Sequence, residues 1–174
     1  MKKFLFTITL ITICLSGSAQ QKTGSFSQIR NEARVKMIID YSEASFMGMS
    51  ESQFSEFEED WVHDKVEMVS LYYSSANEKL KGVLTLGDYS FETPFTLRLM
   101  VRSIDVKGNH DCDLFLLNKD GEELAKIIGL RAKGGTFGSK LNLMKDGAEH
   151  TGEEIGSLLY SEITLTPRGR NRRK

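Results

Sequence analysis

The sequence predicts an α+β domain. It reads as a two-layer fold with a mostly antiparallel sheet of four to five strands and two main helices on one face. Three observations lead there. Phe95, Leu97, Leu99 and Val101 alternate with Thr96, Arg98, Met100 and Arg102, the period-two pattern of a half-buried strand. Residues 62–80 and 141–163 instead carry apolar side chains three and four apart, the spacing of a helix face. Between two apolar runs lies Asn118-Lys119-Asp120-Gly121, whose Asp-Gly pair readily takes the positive φ of a hairpin turn.

The chain opens with the three parts of a secretory signal. Lys2 and Lys3 precede an apolar stretch over 4–15, and Gly17, Ser18 and Ala19 supply small residues for cleavage. Twelve positions, broken by Thr7, Thr9 and Thr12, are too few for a bilayer core of about 30 Å, which takes about 20 residues. Residues 1–19 are therefore expected to be removed and the protein exported, to the periplasm or the medium. Lipidation at Cys14 is disfavoured, because Ile13 puts a β-branched side chain where a small one is needed. The remainder is one domain's worth of chain. It holds a single cysteine, Cys112, so the fold rests on packing rather than on an internal disulfide.

Charge is unevenly placed. The chain carries 23 Lys+Arg and 24 Asp+Glu. Without Lys2 and Lys3 the balance is 21 against 24. Arg168, Arg170, Arg172, Arg173 and Lys174 crowd the last eight residues, so the body alone is 16 against 24. The picture is an acidic globule with a short basic tail over 167–174, read as disordered. With no aromatic residues interleaved among those charges, no nucleic-acid partner is expected.

In chain order, 20–33 reads as a polar, flexible leader, and the single domain is expected over 34–166. Val35, Met37, Ile39 and Tyr41 alternate over a first strand at 34–41. Ser50 and Gln53 form a capping-box pattern that opens a helix. Phe54, Phe57 and Trp61 fall on one face of it. They read first as core and second as a surface for a partner. Val62, Val66, Val69, Tyr73, Ala76 and Leu80 continue as the inward face of a second helix, after a break near 61–64. Gly82 stops that helix. A short strand is expected over 83–86, and a bulge near Arg102-Ser103, where the alternation changes parity. Strands follow at 112–117 and 123–130. In the last helix Ala148, Gly152 and Gly156 make a smooth ridge of small residues, expected to lie tightly on the sheet.

The chemistry-bearing patterns are few. The glycine-rich stretch that includes Arg131, Lys133, Gly134, Gly135 and Thr136, with Lys140 beyond it, lies between a strand and a helix. It lacks the lysine that a phosphate loop places directly after its last glycine, which excludes a nucleoside-triphosphatase of that type. What remains is a turn whose amides, helped by Arg131, Lys133 and Lys140, would hold a small anion. The plainer alternative is a flexible connection. His110, Asp111, Cys112 and Asp113 resemble metal ligands. On a strand, however, His110 and Cys112 share one face and the aspartates the other, short of the three or four ligands zinc takes. Asn118-x-Asp120-Gly121 lacks the preceding ligand of a calcium loop. No serine sits in a Gly-x-Ser-x-Gly elbow, and Cys112 lies in an apolar run that suits an inert thiol. No metal or cofactor is expected. A hydrolase ranks below a binding module, and binding to an envelope protein or to a second copy ranks first.

Two stretches carry a resemblance. Residues 133–156, KGGTFGSKLNLMKDGAEHTGEEIG, and 38–54, IIDYSEASFMGMSESQF, resemble uncharacterised exported proteins of Bacteroidetes, as does the signal ending Ser18-Ala19-Gln20. The likeness covers most of the chain after the signal and implies no catalytic residues. In the order of its elements the chain also resembles small α/β envelope domains such as the N-terminal domain of TolB, by arrangement alone. That resemblance implies an interaction role in the envelope rather than catalysis.

Overall fold

The computed structural model describes residues 20–88 and 93–165. The expected signal over 1–19, Cys14 with it, and the basic tail over 167–174 lie outside the described residues.

The fold is two-layer α+β, as the sequence predicts, and its strands are β1 (Gln21–Gly24), β2 (Arg34–Asp40), β3 (Ser45–Phe46), β4 (Thr85–Gly87), β5 (Phe95–Ile104), β6 (His110–Asn118) and β7 (Glu123–Ala132). They make one seven-stranded sheet in the order β1-β7-β6-β5-β2-β4, with β3 beside the end of β5. The long strands β5, β6 and β7 form an antiparallel meander, to which β1 adds antiparallel. Asn118 closes the β6–β7 turn as expected, its Oδ1 accepting from the Asp120 and Glu122 amides. The register shifts between Val101 and Ser103, where the parity of the sequence changes.

Two features exceed the expectation of four to five strands. β2 lies parallel to both β5 and β4, so the chain between β2 and β4 is a crossover rather than a hairpin. The expected leader is part of the fold. β1 pairs with β7, and a single 3-10 turn over Phe26–Ile29 buries both of its end residues completely. Phe26 and Ile29 are three apart, so one turn suffices to drop both beneath the last helix, and the polar residues around them concealed this.

The helices are α1 (Glu51–Phe57), α2 (Trp61–Leu80) and α3 (Lys140–Thr164). α1 opens on the expected capping box, with Ser50 and Gln53 each bonded to the other's backbone N–H. α2 ends at Lys81, whose φ of 52° is left-handed, followed by Gly82 at 80°. Contacts between α2 and α3 advance in step. Lys145 pairs with Asp64, Gly152 meets Ser75, and Lys79 pairs with Glu153. The two helices therefore run side by side in the same direction.

Two packing expectations need correction. The ridge of Gly152 and Gly156 lies on α2, not on the sheet. A Cβ on Gly152 would overlap the Ser75 hydroxyl and the Tyr72 carbonyl, and one on Gly156 would overlap the Ala76 carbonyl. The inward face of α2 is also rotated from the valine series. Trp61, Asp64, Met68, Tyr72, Ser75, Ala76 and Leu80 are buried, while Val62 and Val66 are exposed. Two polar residues on the true inner face disguised it. Asp64 is buried because Lys145 pairs with it, and Ser75 because its hydroxyl donates to the Leu71 carbonyl and leaves room for Gly152.

Candidate functional site

The end of the molecule where α1, the start of α2 and the start of α3 meet is built on an aromatic cluster. Phe46, Phe54 and Trp61 pack with ring centroids 4.8–5.5 Å apart, all fully buried. Trp61 also donates its indole N–H to the Glu51 carboxylate. These rings fix the angle between α1 and α2. Residues 58–60 break the helix between them, and the break splits the stripe read from the sequence. Phe54 and Trp61 turn inward, whereas Phe57 stays 65% exposed. Val62 at 75% and Val66 at 65% stand out on the neighbouring α2 surface. Between the helices runs a groove of about 540 Å³ lined by Ser52, Ser55, Val62 and Val66.

Charge surrounds this corner. The Lys140 ammonium stands 4.8 Å from the centre of the Phe57 ring and pairs with Glu58. Lys65 pairs with Glu51. Glu56, Glu59 and Asp60 add three acids, with no ion-pair partner among the described residues. Three residues before Lys140, Phe137 is exposed in the loop that leads into α3.

The glycine-rich turn does not form the expected anion cradle. The Gly134 amide donates to Asn109 Oδ1 at 3.0 Å, and the Gly135 amide to the Leu143 carbonyl at 3.3 Å. The Asp146 carboxylate stands where a Cβ of Gly135 would be, an acid where an anion site needs none. α3 begins five residues after Gly135, and its first turn is capped by the Ser139 hydroxyl. The six residues named from the sequence therefore separate. Lys140 belongs to the α1 corner, and Thr136 is exposed in the loop. Arg131 and Lys133 stay together at the end of β7. Arg131 faces Asp111 across the β6–β7 pair, with Nε to Oδ2 at 3.4 Å. A cleft of about 640 Å³ opens there between β7 and the β5–β6 turn.

The residues that resembled metal ligands are otherwise engaged. His110 is buried, with Nδ1 2.7 Å from the Tyr72 hydroxyl and Nε2 3.0 Å from the Met144 carbonyl. Nε2–H must donate to the carbonyl, so Nδ1 accepts from Tyr72 and neither nitrogen is left for a metal. Burial pushes the His110 pKa down to about 4. Burial raises the Cys112 thiol far above its ordinary range, as an inert core cysteine requires. Asp113 pairs with Arg102 and accepts the Gly129 amide.

No protein-family model and no curated protein matches the chain. Among solved structures it is similar to the PelC dodecamer from Paraburkholderia phytofirmans, at 12% identity and a TM-score of 0.47 over 82% of this chain and 96% of that one. A point variant of the same dodecamer gives 13% identity, the same score and the same coverage. Among the described residues, no helix is long and apolar enough to cross a membrane.

Proposed function

We propose that the protein is an exported, non-catalytic interaction module of the bacterial cell envelope, which docks a protein partner on the corner of α1 and α2. One observation carries this reading: Val62 and Val66 stand exposed in the wall of a groove between α1 and α2, on helices fixed by a buried aromatic cluster. Single exposed apolar residues are ordinary, but neighbouring ones beside a concavity mark a contact surface. Two helices held at a set angle present such a surface at little entropic cost.

The rim selects the occupant. Glu56, Glu59 and Asp60 leave this corner with acids that no ion pair among the described residues neutralises, and a second copy would bring the same acids again, which opposes self-association. The reading therefore commits to a different protein, with an apolar knob and a basic rim. Export follows from the signal-like start of the sequence.

The test uses native size in envelope extracts. The wild-type chain should run in a discrete complex, and the double variant V62D/V66D should run as the monomer while keeping its thermal midpoint. Equal migration of the two chains would contradict the reading. A complex that the purified chain forms alone would replace it with self-association.

A further inference from the structure

The cleft between the β5–β6 turn and the end of β7 is a separate matter, on another part of the surface lined by none of the corner's residues. We propose that it is a binding site for a small oxyanion, held between the ammonium groups of Lys107 and Lys133.

The two walls of the cleft are tied to each other. Asp105 Oδ1 accepts from the Lys107 and Asn109 amides, and Oδ2 from the Asn109 side chain, which locks the turn. Asn109 then reaches across with Oδ1 to take the Gly134 amide. Gly134 lies so close to the Lys107 carbonyl that a Cβ there would overlap it. Lys107 and Lys133 are thus carried on two backbones in contact, one of them adjacent to the glycine that permits the approach. From beneath, His110 anchors the same wall to α3 through the Met144 carbonyl. A site with such supports is organised before its ligand arrives.

The charges around the cleft are unequal in what they have left to give. Asp105 spends its oxygens on the turn, and Asp111 faces Arg131. Against burial, the bonds from Asn109 and then Lys107 hold the Asp105 carboxyl below its ordinary range, yet Lys107 forms no direct ion pair among the described residues, and neither does Lys133. The Lys133 carbonyl is fixed by His150 Nδ1 at 2.7 Å, so its backbone is held, while the residue also borders a neighbouring cleft with Glu153 and Glu154. Two ammonium groups on rigid, touching backbones favour an anion between them. Ser103 in the lining suits a ligand that also carries a hydroxyl. Phosphate esters and sugar acids share this chemistry.

The test is a titration of the isotope-labelled protein with inorganic phosphate and, separately, with glucuronate, followed by amide chemical shifts. Saturable shifts confined to residues 103–111 and 131–134 are expected with at least one probe. The variant K107Q/K133Q should weaken them at least tenfold while the rest of its spectrum stays unchanged. Saturation by phosphate alone assigns a phosphate-ester ligand, and by glucuronate alone a sugar acid. No saturable shift with either probe, or shifts that K107Q/K133Q leaves intact, would overturn the proposal.

Discussion

His110 Nδ1 lies 2.7 Å from the Tyr72 hydroxyl, and neither side chain reaches water. The bond joins the start of β6 to the middle of α2, while the other ring nitrogen holds α3. The neutral imidazole makes both bonds as they stand, whereas a second N–H would force the buried Tyr72 hydroxyl to turn from donor to acceptor.

Stability should therefore fall with acid through this one group. Burial lowers the His110 pKa from 6.5 to about 4, opposed by the bond to Met144 and by the field of Asp105. Between those values the unfolded chain binds a proton that the folded chain refuses. Stability is complete above 6.5 and is lost as pH falls toward 4, by about 3 kcal/mol. Urea unfolding midpoints measured from pH 7 to 4 should show this slope. His110→Gln should lower the midpoint at pH 7 and flatten the slope above pH 5.

The α2–α3 contact should be intolerant of any added methyl groups. An exposed helical glycine gains about 1 kcal/mol on replacement by alanine. At Gly152 the added Cβ meets the Ser75 hydroxyl and the Tyr72 carbonyl, so Gly152→Val should instead cost about 1–3 kcal/mol. Thermal unfolding decides the sign.

The rotation of α2 gives a paired prediction. Val62→Asp and Val66→Asp should each change stability by no more than about 0.5 kcal/mol, as exposed positions do. Met68→Asp should cost more than about 4 kcal/mol, because it buries an unpaired charge in the core. The reverse order in denaturant titrations would restore the valine face as the inner one.

Removing residues 20–29 should destabilise the domain rather than trim it. Phe26 and Ile29 are fully buried, and each contributes about 1.5–3 kcal/mol by leaving water. β7 would also become an open edge. A truncated chain with an unchanged melting temperature would show that the start of the domain is dispensable.

What was legible in the sequence was local. The strand at 95–104, the hairpin at Asn118, the Ser50 cap and the extent of α3 follow from period, turn chemistry and capping, which act over a few residues. What was not legible depends on partners far along the chain. Asp64 counts as an inner residue only because Lys145 reaches it, and Phe26 counts as core only because α3 covers it. The site divides in the same way. Arg131 and Lys133 were visible as cations near glycines, but Lys107 lies 26 residues before Lys133 and meets them through the Asn109–Gly134 bond and the close approach of Gly134 to its carbonyl. Gly134 proved to serve close approach rather than an anion cradle, and sequence alone does not separate these uses of glycine.

The corner of α1 and α2 is proposed as the surface that meets a partner. The most direct measurement places a photoreactive residue in turn at Phe57, Val62 and Val66, and at Ser74 and Glu78, which are exposed farther along α2. After illumination of intact cells, the first three positions should give one discrete adduct and the last two none. Adducts of equal yield from all five, or from Ser74 and Glu78 alone, would contradict it.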